Sequence, residues 1–260
     1  INTITDLETY MIVKERLIEA EENIFKISET NNISDKISML SYSIERINSA
    51  ISWSSFFGTG QKEFIMDEIQ IMESCINKIQ EAEERYEYLV LLTGIDFEGT
   101  KDEINLAKKD FENEDYELCL FKASKAKANS DVILNTVGID ESQLLEVTNQ
   151  RLKIIKNNII EEQEKGIFPV VGYSYYEYAE DLKETDLFSS MLFTEYSLEL
   201  SNLDIYFEEN EKKLNLSVDA PKNIIISFIL VFISGLLIGI GLGNIKPQKR
   251  QKTKKKNSRT

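Results

Sequence analysis

The stretch from Asn223 to Ile245, NIIISFILVFISGLLIGIGLGNI, holds no charged residue. Wound as a helix, its roughly 22 positions span about 33 Å, enough to cross the hydrocarbon core of a bilayer. KPQKRQKTKKKNSRT follows directly, with Lys246, Lys249, Arg250, Lys252, Lys254, Lys255, Lys256, Arg259 and no acid. Short flanks rich in Lys and Arg stay on the cytoplasmic side, whereas the segment before the span offers only Lys212, Lys213 and Lys222. The expected protein is therefore a single-pass protein of the cell membrane. Residues up to about 221 lie outside, and the basic tail lies in the cytoplasm against anionic headgroups. Gly235, Gly239 and Gly243 recur every four residues and give the span one flat face, on which a homodimer or higher oligomer is expected to pack.

The exported part is acidic. The formal net charge is -15 even with the basic tail included. Phosphate binding needs a clustered basic face, so nucleic acid is not an expected partner. There is no histidine, which removes the commonest general base and the commonest zinc ligand. No metal, cofactor or catalytic residue is expected in this chain. The sequence opens on Ile1 rather than Met. The expectation is a removed leader, or a longer precursor of which this is the C-terminal part. Cys75 and Cys119 are the only cysteines and sit in helix-patterned stretches. The plain reading is two buried small hydrophobes; the open alternative is a disulfide, which an outside location permits.

Periodicity makes the exported part all-α: stacked antiparallel helical hairpins, a bundle or short helical-repeat array, before the single membrane helix. An N-terminal bundle (1–96) holds a striped helix from Thr3 to about Thr30. A second helix after Asn31-Asn32 runs to Trp53, Phe56 and Phe57, which read as core. Gly58-Thr59-Gly60 turns the chain. A long helix is then expected from about Gln61 to Leu92, with Ile65, Ile69, Met72, Ile76 and Ile79 as its heptad-like inner row. Central hairpins (97–166) begin at a capping-box pattern, Thr100 with Glu103, turn at Asn113-Glu114-Asp115, and end at Gly166. GIFPVVGYSYYEY reads as a linker or extended crossing because of Pro169 and Gly172. A C-terminal hairpin (167–210), a polar juxtamembrane linker (211–222), the span (223–245) and the tail (246–260) complete the chain. The segment from Ala107 aligns weakly with that from Ala179, matching Tyr116 with Phe188, Cys119 with Met191 and Leu120-Phe121 with Leu192-Phe193. That repeat favours stacked hairpins over one long coiled coil.

Few motifs suggest chemistry. Gly58-Thr59-Gly60-Gln61-Lys62 has Glu63 where a phosphate loop needs a hydroxyl, and follows a helix; it reads as a turn. Asp110, Glu112, Glu114 and Asp115 alternate like a calcium loop, but Asp115 stands where glycine is required, so this is a solvated corner. Tyr173, Tyr175, Tyr176 and Tyr178 form the densest aromatic patch: exposed, they would grip a protein or sugar; buried, they would pack the crossing onto its neighbours. Asn32-Ile33-Ser34 and Asn215-Leu216-Ser217 are sequons on the exported side, which makes Asn32 and Asn215 candidate glycosylation sites.

SIERINSAISWSSFF (Ser43 to Phe57) and DYELCLFKASKAKANSD (Asp115 to Asp131), followed by the span and basic tail, resemble the C-terminal part of archaeal membrane-anchored Lon-like serine peptidases. In that family an exported proteolytic domain with a Ser–Lys dyad precedes a helical region and a C-terminal anchor. The resemblance implies an upstream peptidase domain that this chain lacks, so no catalytic residue carries over. The function it implies is anchoring and protein interaction at the outer membrane surface. The alternative from the residues alone is a free-standing sensory or receptor ectodomain, with ligand contacts near Tyr173 to Tyr178.

Overall fold

Thr3 starts the first helix by accepting a hydrogen bond from the Asp6 N–H (3.0 Å) onto its hydroxyl. The computed structural model describes residues 1–210, without the side chains of residues 141 and 142. The span 223–245 with its glycines, the linker with Asn215 and the basic tail lie outside the described residues. Helix α1 (Ile4–Glu29) and α2 (Ile33–Ser54) form a hairpin whose second helix is capped by the Asn32 side chain on Ser34 N–H. Arg46 on α2 reaches Glu19 on α1 (3.3 Å), and the Ser43 hydroxyl donates to the Ala20 carbonyl.

The chain then departs from the expected long helix. Phe64–Ile65 form a two-residue strand, β1, paired antiparallel with β2 (Glu208–Glu209) in the register Phe64↔Glu209. Helix α3 starts only at Glu68, because Asp67 and Gln70 make a capping box there, and ends at Thr93 on Gly94 (φ 71°). Its inner face is also displaced. Ile71, Ser74, Cys75, Lys78, Ile79, Ala82 and Leu89 are buried, whereas Ile65 and Ile69 of the expected row are 41 and 61% exposed. Ser74, Cys75 and Ala82 let α3 lie close on its neighbour beside Ile71 and Ile79, and Ile69 turns outward.

Helix α4 (Glu98–Glu112) begins two residues before Thr100, on Phe97 without a side-chain cap. Thr100 is buried inside the helix, so the expected capping box does not form. Glu114, at φ 63°, turns the chain into α5 (Tyr116–Thr136). Helix α5 is buried over most of its surface, from Leu118, Cys119 and Phe121 to Ala126, Asp131 and Val132, with Lys122, Lys125 and Asn129 half-buried along one side. It packs against α1, α3, α4 and α8.

Helix α6 (Glu141–Glu164) buries Leu152, Ile155 and Ile159 and leaves Leu145 exposed. Helix α7 (Val170–Leu182) then corrects the extended-crossing reading, since it begins directly after Pro169 and carries Gly172 inside its first turns. Two contacts explain this. Proline fixes a backbone angle that suits a helix entrance. A Cβ on Gly172 would lie 2.9 Å from the Ser201 backbone nitrogen, so only glycine lets the segment approach as a helix. Helix α8 (Leu187–Leu200) follows, and a 3₁₀ turn (Leu203–Tyr206) leads to β2.

The weak repeat is visible as structure. The α4–α5 and α7–α8 hairpins each run helix, tight turn, helix, and Ala107 and Ala179 are both fully buried at matching positions. One core cluster draws residues from α1, α3, α4, α5, α7 and α8.

Candidate functional site

Cys75 and Cys119 meet between α3 and α5. They form a disulfide with a Cα–Cα distance of 5.7 Å, within the range such a bridge requires. The plain expectation of two unpaired hydrophobes is corrected. Sequence shows only that both cysteines are in helices; that α3 and α5 are neighbours is a tertiary fact.

The aromatic patch divides. Tyr175 and Tyr176 are buried at 9 and 8% exposure, while Tyr173 and Tyr178 are 37 and 55% exposed. Helical spacing explains the split, because 175, 176 and 179 face inward on α7 while 173 and 178 do not. Tyr175 stacks on Phe193 (5.6 Å) and meets the edge of Tyr196 (5.3 Å). Burial pushes the Tyr176 hydroxyl up to about 12, with Glu180 adding to it.

Several buried charges pair with one another across helices. Lys78 on α3 contacts Glu81 (2.8 Å) and Glu199 (3.0 Å). Lys127 also pairs with Glu199, and Arg85 pairs with Asp131. The Tyr206 hydroxyl donates to Glu81 (2.7 Å). Glu195 accepts from Arg151 (2.5 Å) and Asn135 (3.2 Å). Burial raises the Glu195 carboxyl, Arg151 opposes that rise, Asp131 and Glu199 reinforce it, and the result is about 7.

Glu8 is fully buried on α1, and its Oε2 accepts from the Val171 N–H (2.9 Å). It caps α7, which has no side-chain cap of its own, from 163 residues away. Burial raises the Glu8 carboxyl and the N–H groups of Val171, Gly172 and Val170 work against that rise.

The remaining motifs are structural. Gly58 (φ 75°) donates to Asp6 (2.7 Å) and Lys62 pairs with Glu209 (2.6 Å), so the Gly-Thr-Gly segment is a tied turn. At the acidic corner Lys122 holds Asp110 and Lys14 holds Asp115, both at 2.6 Å. No cluster of three metal-ligating side chains occurs among the described residues. Buried Ser124, Ser190 and Ser197 donate to the carbonyls of Leu120, Ala179 and Gly172. A shallow cleft of about 210 Å³ between α1, α4 and α5 is edged by Glu15, Glu19, Glu22 and Glu103 over Lys122 and Lys125. Its floor is already paired, Lys125 to Glu15 (3.1 Å) and Lys122 to Asp110.

Among the described residues, α2 carries an exposed apolar row. Ile33, Ile37, Leu40, Ile44, Ile47 and Ile51 on α2 are all between 36 and 72% exposed. The sequence reading missed this row, although its four-three-four-three-four spacing was the signal. Asn32, the first sequon, is exposed at the start of the same helix.

Comparison with family models, with curated proteins and with solved structures finds no match for this chain.

Proposed function

We propose that this chain is an exported helical interaction and anchor domain, held at the outer face of the cell membrane by the apolar span 223–245. The observation that carries the reading is the Cys75–Cys119 disulfide in the core. Such bridges persist in oxidising compartments and are rare where thiols are kept reduced. That supports the outside location read independently from the Lys/Arg asymmetry around the span. Action by contact is supported by the state of the side chains: Lys78, Lys125, Asp131, Glu195 and Glu199 are tied into ion pairs within the fold, while an aliphatic row lies open on α2. The resemblance to Lon-like peptidases extends the reading to an upstream proteolytic domain, which this region would position and supply with substrates.

Thiol trapping tests the location. Cells making the full-length gene product are lysed in an alkylating reagent and the intact mass is read. The expected result is a bridged pair that takes no label until reduced. Two alkylated cysteines would contradict an oxidising location.

A further inference from the structure

The chain has two Asn-X-Ser/Thr triplets, Asn32-Ile33-Ser34 and Asn215-Leu216-Ser217, neither with proline in the middle. The first lies among the described residues, between α1 and α2, where access and orientation both suit an acceptor. Helix α1 buries no residue after Ala20, and α2 buries none before Ser43. Residues 21–42 thus form a hairpin tip that takes no part in the core, with Asn31, Asn32, Ile33 and Ser34 all exposed at its end. A bulky sugar chain fits there without displacing a buried side chain.

Asn32 is the N-cap of α2. Its Oδ1 accepts from the Ser34 N–H (3.0 Å), and its carbonyl accepts from the Lys36 N–H (3.1 Å). Oxygen and nitrogen of a planar amide point apart, so Oδ1 turned onto the helix sends Nδ2 away from it. Nδ2 has no hydrogen-bond partner among the described residues. Attaching a sugar replaces one hydrogen of Nδ2 and leaves Oδ1 a carbonyl acceptor. The cap on Ser34 therefore survives the modification, and the helix start and the glycan do not compete for the same atom. Asn31 is excluded, because Ile33 stands where its motif would need a hydroxyl.

We infer that Asn32 carries an N-linked glycan. This rests on the outside location proposed above, since the sugar is added to exported chains. The donor is an oligosaccharide carried on a polyprenyl phosphate, and a membrane transferase does the chemistry. Nδ2 attacks the anomeric carbon, and the bond from that carbon to the phosphate oxygen breaks. Its electron pair leaves with the lipid phosphate, and one Nδ2 proton passes to a base of the transferase. This chain supplies the acceptor nitrogen and the Ser34 hydroxyl of the recognised triplet.

The test uses the full-length gene product purified from the cells that naturally make it. It is digested with trypsin and read by tandem mass spectrometry. The expected result is that the peptide of residues 27–36 carries added mass that fragments as a sugar series and maps to Asn32. Ser34→Ala, made in the same cells, should lose that mass completely, although it keeps Asn32 and the backbone N–H that the cap uses. Ser34→Thr should retain it. Both variants should keep the wild-type circular dichroism, because residue 34 is exposed. A bare wild-type peptide, or added mass that survives Ser34→Ala, would overturn the inference. The Asn215 peptide and the thiol trapping described above separate the causes. Sugar on Asn215 alone, or two bare asparagines beside a bridged Cys75–Cys119 pair, would sink the Asn32 assignment and leave the outside location standing. Two bare asparagines with two alkylated cysteines would sink both.

Discussion

Replacing both Cys75 and Cys119 by alanine should cost a large share of a typical domain's margin of stability. The bridge spans a sequence separation of 44 residues. Closing a loop of that length removes chain entropy from the unfolded state worth about 4 kcal/mol at 25 °C. Both sulfurs lie at zero exposure between α3 and α5, so alanine also leaves small voids that add to the loss. Set against the roughly 5–15 kcal/mol that holds an ordinary domain, this is a large fraction. Urea unfolding of the full chain in detergent, followed by circular dichroism, reads it directly. With a slope near 2 kcal/mol/M, the midpoint should fall by about 2 M, and reductant should lower the wild type similarly. A double variant within about 1 kcal/mol of the oxidised wild type would refute the assignment of the bridge as a main tie between α3 and α5.

Glu195 predicts a pH dependence. Its folded value is raised from an ordinary 4.5 to about 7, so its stabilising contribution is fully present below pH 4.5 and is lost as pH rises through 7. The loss is at most about 3 kcal/mol, and the difference between wild type and Glu195→Gln in urea titrations at pH 4.5 and 8 isolates it. Lys78→Met leaves Glu81 and Glu199 without their shared cation and should cost roughly 3 kcal/mol in the same assay. Gly172→Ala forces a methyl against the Ser201 backbone and should destabilise by about 1–3 kcal/mol, despite alanine's better helix propensity. Glu8→Ala uncaps α7 and leaves the N–H groups of Val171 and its neighbours buried without an acceptor; a loss of about 2 kcal/mol, with earlier hydrogen exchange at residues 170–173, is expected.

Local signals in the sequence carried far. The turns at Gly58 and Gly166 lie where expected, both in the left-handed region, because such turns are settled by a few adjacent residues. The weak match between Ala107 and Ala179 onward marks two similar hairpins for the same reason: each is local. Three misreadings share a cause in tertiary contact. The α3 inner row shifted because Cys75 and Cys119 draw α3 against α5. The region of Pro169 and Gly172 is helical because Glu8, far away in sequence, supplies the missing cap and Ser201 needs the space. Residues 64–65 form a strand because residues 208–209 return to pair with them. The α2 row was legible in principle, but periodicity alone does not tell an inward face from an outward one.

The most direct measurement of the central claim is protease digestion of intact cells that make the full-length gene product with an epitope after Thr260. The account predicts that external protease removes the helical domain while the epitope stays protected and membrane-bound until the cells are lysed. A helical domain resistant until lysis, or an epitope digested from outside, would contradict an exported domain held by a C-terminal span.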